Sequence, residues 1–391
     1  MAVIFLDSKE SCKGYYTLGN LHFNEKAIPN NLVRTWKYLP YLDGKNIDFV
    51  YFFCQGNDLE SLCPTDLKAD WQLANKKLTA FLNSFKIGKV DLKDNCVYDL
   101  IPKQFLLEFC ELKSKIIDSI AETHKKPITY DFHVDLERML TKIRDRQLKI
   151  DLTSLHNIRY KSNVRSFLTN IEKYSKNIDY DQFGSKTGRL TTRKMTFPIL
   201  NLNSDYRCIL KPQNDLFVEI DYSAAEPRTL LCLSEQEQPK EDLHDWNAKR
   251  LNMSREQSKK ELLAWLYGSS QVDGKKFENL YQTQKVLEKY YDGRIVKNPF
   301  GREIESDDFH ALSHLCQSTS SDNVLRQAIK VDNFLKDKKS FITGIIHDSL
   351  LLDCHRSELG ICDKIVSIFS NSQLGVFPVR TSSGKSWGSL V

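Results

Sequence analysis

Two apolar runs more than a hundred residues apart each lead into an aspartate, and this distant pairing constrains the fold more than anything else in the chain. The first is Phe217-Val-Glu-Ile-Asp221, which follows Leu216 and continues as Tyr-Ser-Ala-Ala-Glu-Pro-Arg228. The second comprises Phe341-Ile-Thr-Gly-Ile-Ile346 and Leu350-Leu-Leu-Asp353, which read as the arms of a hairpin with His347-Asp348 at its tip. Period-two alternation predicts that Asp221 ends a half-buried strand. If the three strands share one sheet, both acids project from the same surface. Hard divalent cations prefer oxygen ligands, so a carboxylate pair of this kind is a candidate metal site. Neither piece decides the matter alone, because a strand ending in Asp is ordinary turn chemistry and His-Asp recurs at His244-Asp245.

Local signals sharpen the picture. Ser223-Ala-Ala-Glu226 fits a capping box, and Pro227 is tolerated in a first helical turn, so a helix is expected directly after Asp221. Farther on, Arg255, Lys259, Leu263 and Tyr267 recur every fourth residue. At about 100° per residue they share one helix face. Two cations near the start of that face suit a triphosphate, whereas the plain alternative is a solvated basic face.

In order, Thr187-Gly188-Arg189-Leu190, Asp221 to Arg228, Arg255 to Gly268 and His347-Asp348 resemble the polymerase domain of the family A DNA polymerases, the bacterial DNA polymerase I group with its phage relatives. The resemblance covers roughly residues 180 to 391. It implies an α/β (α+β) right-hand polymerase with an antiparallel palm sheet, helical fingers and a short helical thumb. Asp221 and Asp348 are then the catalytic acids and, with the Tyr222 carbonyl, the ligands of two Mg²⁺ ions. Arg255, Lys259, Leu263, Tyr267 and His244 are the expected nucleotide-binding residues, joined by Glu226 as a steric gate against a ribose 2′-hydroxyl. Arg189, Gln317, Ser313, His347 and Thr187 are the expected DNA-binding residues. Minor-groove acceptors occur on every base pair, so donors such as Arg189 and Gln317 would check pair geometry without reading sequence.

The chain departs from the family's pattern at four places. Leu263 stands where Phe or Tyr is usual, Ala224 where Gln is common, Pro227 for Leu, and Ser349 follows Asp348 where Glu is usual. The site therefore has one carboxylate fewer. These departures mark a divergent, phage-like branch.

Composition sets outer bounds. The 391 residues, 41% hydrophobic, suffice for two or three domains with real cores. A formal net charge of +5 permits a polyanionic partner. Its distribution is more telling, since Lys186, Arg189, Arg193 and Lys194 crowd the Thr-Gly-Arg segment and Arg159, Lys161 and Arg165 precede it, as a phosphate track would require. No apolar run approaches the length of a membrane span, and Asp7 and Lys9 interrupt any leader, so a cytoplasmic protein without membrane attachment is expected, in the host cytoplasm if phage-encoded. The ten cysteines lack metal or disulfide spacing and read as free thiols.

Residues 1–100 read as a small α/β module, with strand-like runs at Val3 to Leu6 and Ile47 to Phe53 and a helix near Leu67 to Phe85. Residues 101–180 read as a helical, thumb-like region with helices over Phe105 to Thr123 and His133 to Leu148, broken at Lys125-Lys126-Pro127 and forming an antiparallel hairpin. Residues 181–391 form the palm and fingers. Asp58-Leu-Glu60 fits the first element of a proofreading exonuclease, but the remaining acids are missing, so no proofreading is expected. The N-terminal module is instead expected to be a remnant or a dock for a replication accessory protein. The tail Val379 to Trp387 resembles the family's closing strand, which implies a complete C-terminal end. Primed template DNA and dNTPs are the expected substrates. The alternatives are a polymerase that makes or copies RNA, which Glu226 opposes, and a non-catalytic DNA-binding relative.

Overall fold

A computed structural model describes residues 2–6, 14–23, 28, 32–42, 45–92, 95–268 and 272–391. The charges at Asp7 and Lys9 that argued against a leader lie outside these residues. The chain forms two compact units, Met1–Val134 and Asp135–Val391. The expected boundaries near residues 100 and 180 fall inside them.

In the first unit, β1 (Ala2–Phe5), β2 (Tyr15–Thr17), β3 (Asn20–His22), β4 (Arg34–Thr35) and β5 (Asp48–Phe49) make one sheet of order β3-β2-β1-β4-β5. β1 to β3 run antiparallel, whereas β4 lies parallel to β1 and β5 parallel to β4. Alternation along β1 and β2 gives the sheet two buried faces. Val3 and Tyr15 pack with Ile28, Leu32 and Leu42, and Ile4 and Tyr16 pack with Trp71, Phe109 and Ile117. The second face is closed by α1 (Lys68–Ile87) and α2 (Lys103–Thr123), where Leu106, Phe109, Cys110, Ile117 and Ile120 follow a helical period. Each such burial contributes about 1.5–3 kcal/mol.

One expected strand is corrected here. The run Ile47 to Phe53 is extended only at Asp48–Phe49 and then turns into a short helix, Val50–Phe53. An unbroken apolar run has no alternation with which to distinguish strand from helix. Asp58 lies in a surface turn, where its carboxylate accepts the Ser61 N–H at 2.8 Å. Cys96 also corrects the reading of all ten cysteines as free thiols, being disulfide-bonded; eight others among the described residues are free. Cysteine spacing does not encode a pairing that the fold creates.

α3 (Tyr130–Arg144) begins after the expected break and crosses from one unit into the other. In the second unit, β6 (Leu216–Tyr222), β7 (Phe341–Ile346), β8 (Ser349–Cys354) and β9 (Val379–Gly384) form an antiparallel sheet of order β7-β8-β6-β9. β7 and β8 are the predicted hairpin arms. β7 bulges between Ile342 and Gly344. The bulge lies beside the Tyr180 hydroxyl, which donates to Ile345 O at 2.7 Å and accepts from Ile345 N at 2.9 Å.

Helices surround this sheet: α4 (Ala225–Leu233), α5 (Leu243–Leu251), α6 (Arg255–Leu266), α7 (Ala311–Phe334) and α8 (Cys362–Ser370). α7 is buried through Ser318, Thr319, Ser320 and Ser321, whose small side chains admit close packing against α4 and α8. Leu230, Leu243, Leu262 and Leu315 unite α4 to α7 in one apolar cluster. No helix among the described residues is long and apolar enough to cross a membrane.

Candidate active site

The register of the sheet brings the two distant aspartates together. Asp221 is the penultimate residue of β6, opposite Ser349 of β8, and the Tyr222 amide donates to the Asp348 carbonyl at 3.3 Å. Asp348 and His347 form the two-residue turn between β7 and β8, with His347 in the left-handed region at φ 54°. Both acids line a cleft of about 470 Å³. Burial, the neighbouring Asp348 and Glu219 push the Asp221 carboxyl up to about 7, against the pull of Arg380. Burial likewise raises Asp348. Two half-desolvated carboxylates that repel each other are suited to a divalent cation, which would relieve both penalties.

A third acid adjoins them. Glu219 shares the Asp221 face of β6, and the Ser349 hydroxyl donates to its Oε1 at 3.0 Å. Ser349, read as a missing carboxylate, is therefore bonded to one supplied by another strand. Among the described residues, no group of three or more His, Cys, Asp or Glu side chains has a metal-holding arrangement, so the aspartates stand as a pair.

Arg255, Lys259, Leu263 and Tyr267 all line the cleft, as their four-residue spacing predicts. The Ser254 hydroxyl caps their helix by accepting Gln257 N–H. Arg255 grips Asp242 with two hydrogen bonds, Nε to Oδ1 at 3.2 Å and Nη2 to Oδ2 at 2.9 Å. Asp242 also caps α5 by accepting the N–H groups of His244 and Asp245. Burial pushes its carboxyl up, but the Arg255 hydrogen bond and these amides outweigh that and hold it down at about 2. His244 is buried against the cleft, and its Nδ1 has no hydrogen-bond partner among the described residues. Burial lowers its pKa, so the imidazole is held neutral more readily than usual.

The predicted capping box at Ser223 to Glu226 does not form. Ala224 is the N-cap, at φ 58° and ψ 55°, without a side-chain hydrogen bond. Glu226, buried in the first turn of α4, pairs instead with Arg189 and accepts the Tyr267 hydroxyl at 2.7 Å. These long-range partners displace the local bond that the sequence favoured. Burial and Glu226 together raise the Tyr267 pKa.

Arg189 is set by its own loop. Gly188 has φ +74°, and a Cβ there would lie 2.5 Å from the Arg302 guanidinium carbon. Arg302 is fixed by Asp322, which is buried on α7, with Nη2 to Oδ1 at 2.7 Å, and Ser321 donates to the Gly188 carbonyl at 2.9 Å.

Three of the other expected residues lie apart from this lining. Thr187 is buried and within 3.2 Å of the Ser185 hydroxyl, Ser313 donates back to the His310 carbonyl at 2.9 Å, and Gln317 is half-buried on α7. Conversely, Arg380, Ser320 and Ser321 line the cleft though sequence reading gave them no role, because only strand register and helix packing bring them there.

A cleft lined by both carboxylates and cations suits a bound, charged phosphoester with its counter-ion. The fold resembles that of a DNA polymerase domain. The chain is similar in structure to the POL domain of Pol1 from M. smegmatis in complex with DNA primer-template and dNTP, with a TM-score of 0.59 and 14% sequence identity over 73% of this chain and 76% of that one. No protein-family profile matches the sequence, and no curated protein matches it.

Proposed function

We propose that the chain is a template-directed DNA polymerase of the family A type, adding deoxynucleotides to a primer 3′ end without proofreading. One observation carries the proposal. Asp221 and Asp348, from strands far apart in the sequence, share a cleft with the Arg255, Lys259 and Tyr267 face of α6. The four-stranded sheet then serves as palm and α4 to α7 as fingers, with a thumb-like role for residues 101–180.

Asp221, Asp348 and the Tyr222 carbonyl would hold Mg²⁺. When bound, such ions would neutralise the charge that develops during phosphoryl transfer. The remaining work belongs to the chain. Arg255 and Lys259 neutralise the triphosphate, and the neutral His244 ring offers a further polar contact. Leu263 and Tyr267 flank the base and sugar, with less stacking area at Leu263 than an aromatic residue provides. Glu226, fixed by Arg189 and Tyr267, crowds the sugar 2′ position and so favours deoxynucleotides. His347 faces the primer end. Arg189, Gln317, Ser313 and Thr187 are assigned to the DNA.

Primer extension with dNTPs or rNTPs tests this proposal. Wild type is expected to extend with dNTPs, and Asp221→Asn or Asp348→Asn to lose at least about 100-fold in rate while still binding primer-template. Retained DNA binding with no extension by wild type would instead favour a non-catalytic relative, and a preference for rNTPs an RNA-synthesising one.

A further inference from the structure

The cleft contains a cation that the chemistry above leaves unused. Arg380 lies on β9 opposite Asp221 in the register, so the two side chains leave the sheet on the same face. Its side chain is 68% exposed, and Nη2 lies 3.7 Å from Asp242 Oδ2, the same carboxylate oxygen that Arg255 Nη2 holds at 2.9 Å. One guanidinium thus reaches Asp242 from the sheet and another from α6.

Charge decides what this meeting can bind. Of the cleft's acids, Glu226 is taken by Arg189 and Asp221 and Asp348 form the candidate metal pair, so Asp242 is left to offset both Arg255 and Arg380, with the Lys259 ammonium in the same cleft. Asp245, 3.6 Å from Arg255, adds a partial offset at the rim. The buried Nδ1 of His244, unpartnered among the described residues, lies in the same wall. A planar fork also suits the paired oxygens of a phosphate better than an ammonium does.

We propose that Arg380 is a further triphosphate-binding residue, which with Arg255 takes the terminal phosphates of the incoming nucleotide and the pyrophosphate that leaves. Asp242 is then the carboxylate with which those phosphates compete for both arginines. This inference rests on the polymerase reading and deepens it. The simplest rival is that Arg380 only offsets Asp221 across the strands. That role would alter the metal site but not discriminate between a triphosphate and a monophosphate.

The test is calorimetric titration of dTTP, dTMP and pyrophosphate into the full-length protein bound to primer-template, with Ca²⁺ replacing Mg²⁺ to prevent turnover. Arg380→Ala is expected to weaken dTTP and pyrophosphate by about tenfold, from loss of a charge-assisted contact, while leaving dTMP and primer-template affinity unchanged. Arg380→Lys should recover part of the loss. Should Arg380→Ala unfold, Arg380→Gln carries the same comparison. A dTTP affinity within about twofold of wild type, or an equal loss for dTMP, overturns the proposal. If wild type extends primers and the variant keeps its dTTP affinity, only Arg380 is withdrawn. If wild type binds no dNTP, the polymerase reading falls with it.

Discussion

Among the two candidate catalytic acids, Asp221 is the one whose chemistry folding shifts into the physiological range. Its carboxyl rises from an ordinary 3.8 to about 7, so between those values the metal-free native state holds a proton that the unfolded chain has released. Stability from this group is therefore fully present below about pH 4 and is lost as pH rises through 7. Urea midpoints measured in EDTA at pH 5 and pH 8 should differ more for wild type than for Asp221→Asn, which cannot ionise. Equal differences would show that burial and Asp348 do not perturb Asp221. The Arg255 to Tyr267 face was legible in sequence because helical period alone aligns it, whereas the meeting of the two acids depended on strand order that no local pattern encodes. Arg380 was not, since nothing in Val379-Arg380-Thr381 specifies which residue it opposes. Glu226 was legible as a candidate but not in its bonds, because Arg189 and Tyr267 outcompete a local cap.

At the scale of elements, the Asp348 hairpin depends on a side chain outside the sheet. The buried Tyr180 hydroxyl makes both of its hydrogen bonds to Ile345, three residues before Asp348. Tyr180→Phe leaves that buried amide and carbonyl without this partner and is expected to cost about 1–3 kcal/mol. Chemical denaturation measures it, and a cost near zero would show that β7 is held by its pairing with β8 alone. The hairpin arms and α2 were readable from two-fold and helical periods. The run Ile47 to Phe53 was not, because continuous apolar residues satisfy either period. The tight join between Gly188, Arg302 and Asp322 was also hidden, being a matter of tertiary approach rather than local pattern.

For the molecule as a whole, the acids and the cations of the cleft predict separable requirements. Removing divalent cations with EDTA is expected to abolish extension while leaving primer-template binding intact. That binding should weaken as salt rises, by about 0.9 log units per log unit of salt for each phosphate neutralised. Filter binding across a salt series checks both statements. Loss of DNA binding in EDTA would mean that the metal holds the duplex rather than the chemistry. Sequence motifs located this cleft, but they did not place the boundary at Val134, because a helix that crosses between units carries no compositional break.

The order of the sheet also bears on biosynthesis. β6, carrying Asp221, lies between β8 and β9, and both of those strands are made more than a hundred residues after it. A nascent chain leaving the ribosome therefore displays β6 with both edges unpaired until β8 emerges, and with one edge still open until β9 follows. A product truncated before β9 keeps that edge open, and an unpaired edge of an otherwise buried strand is a template for aggregation.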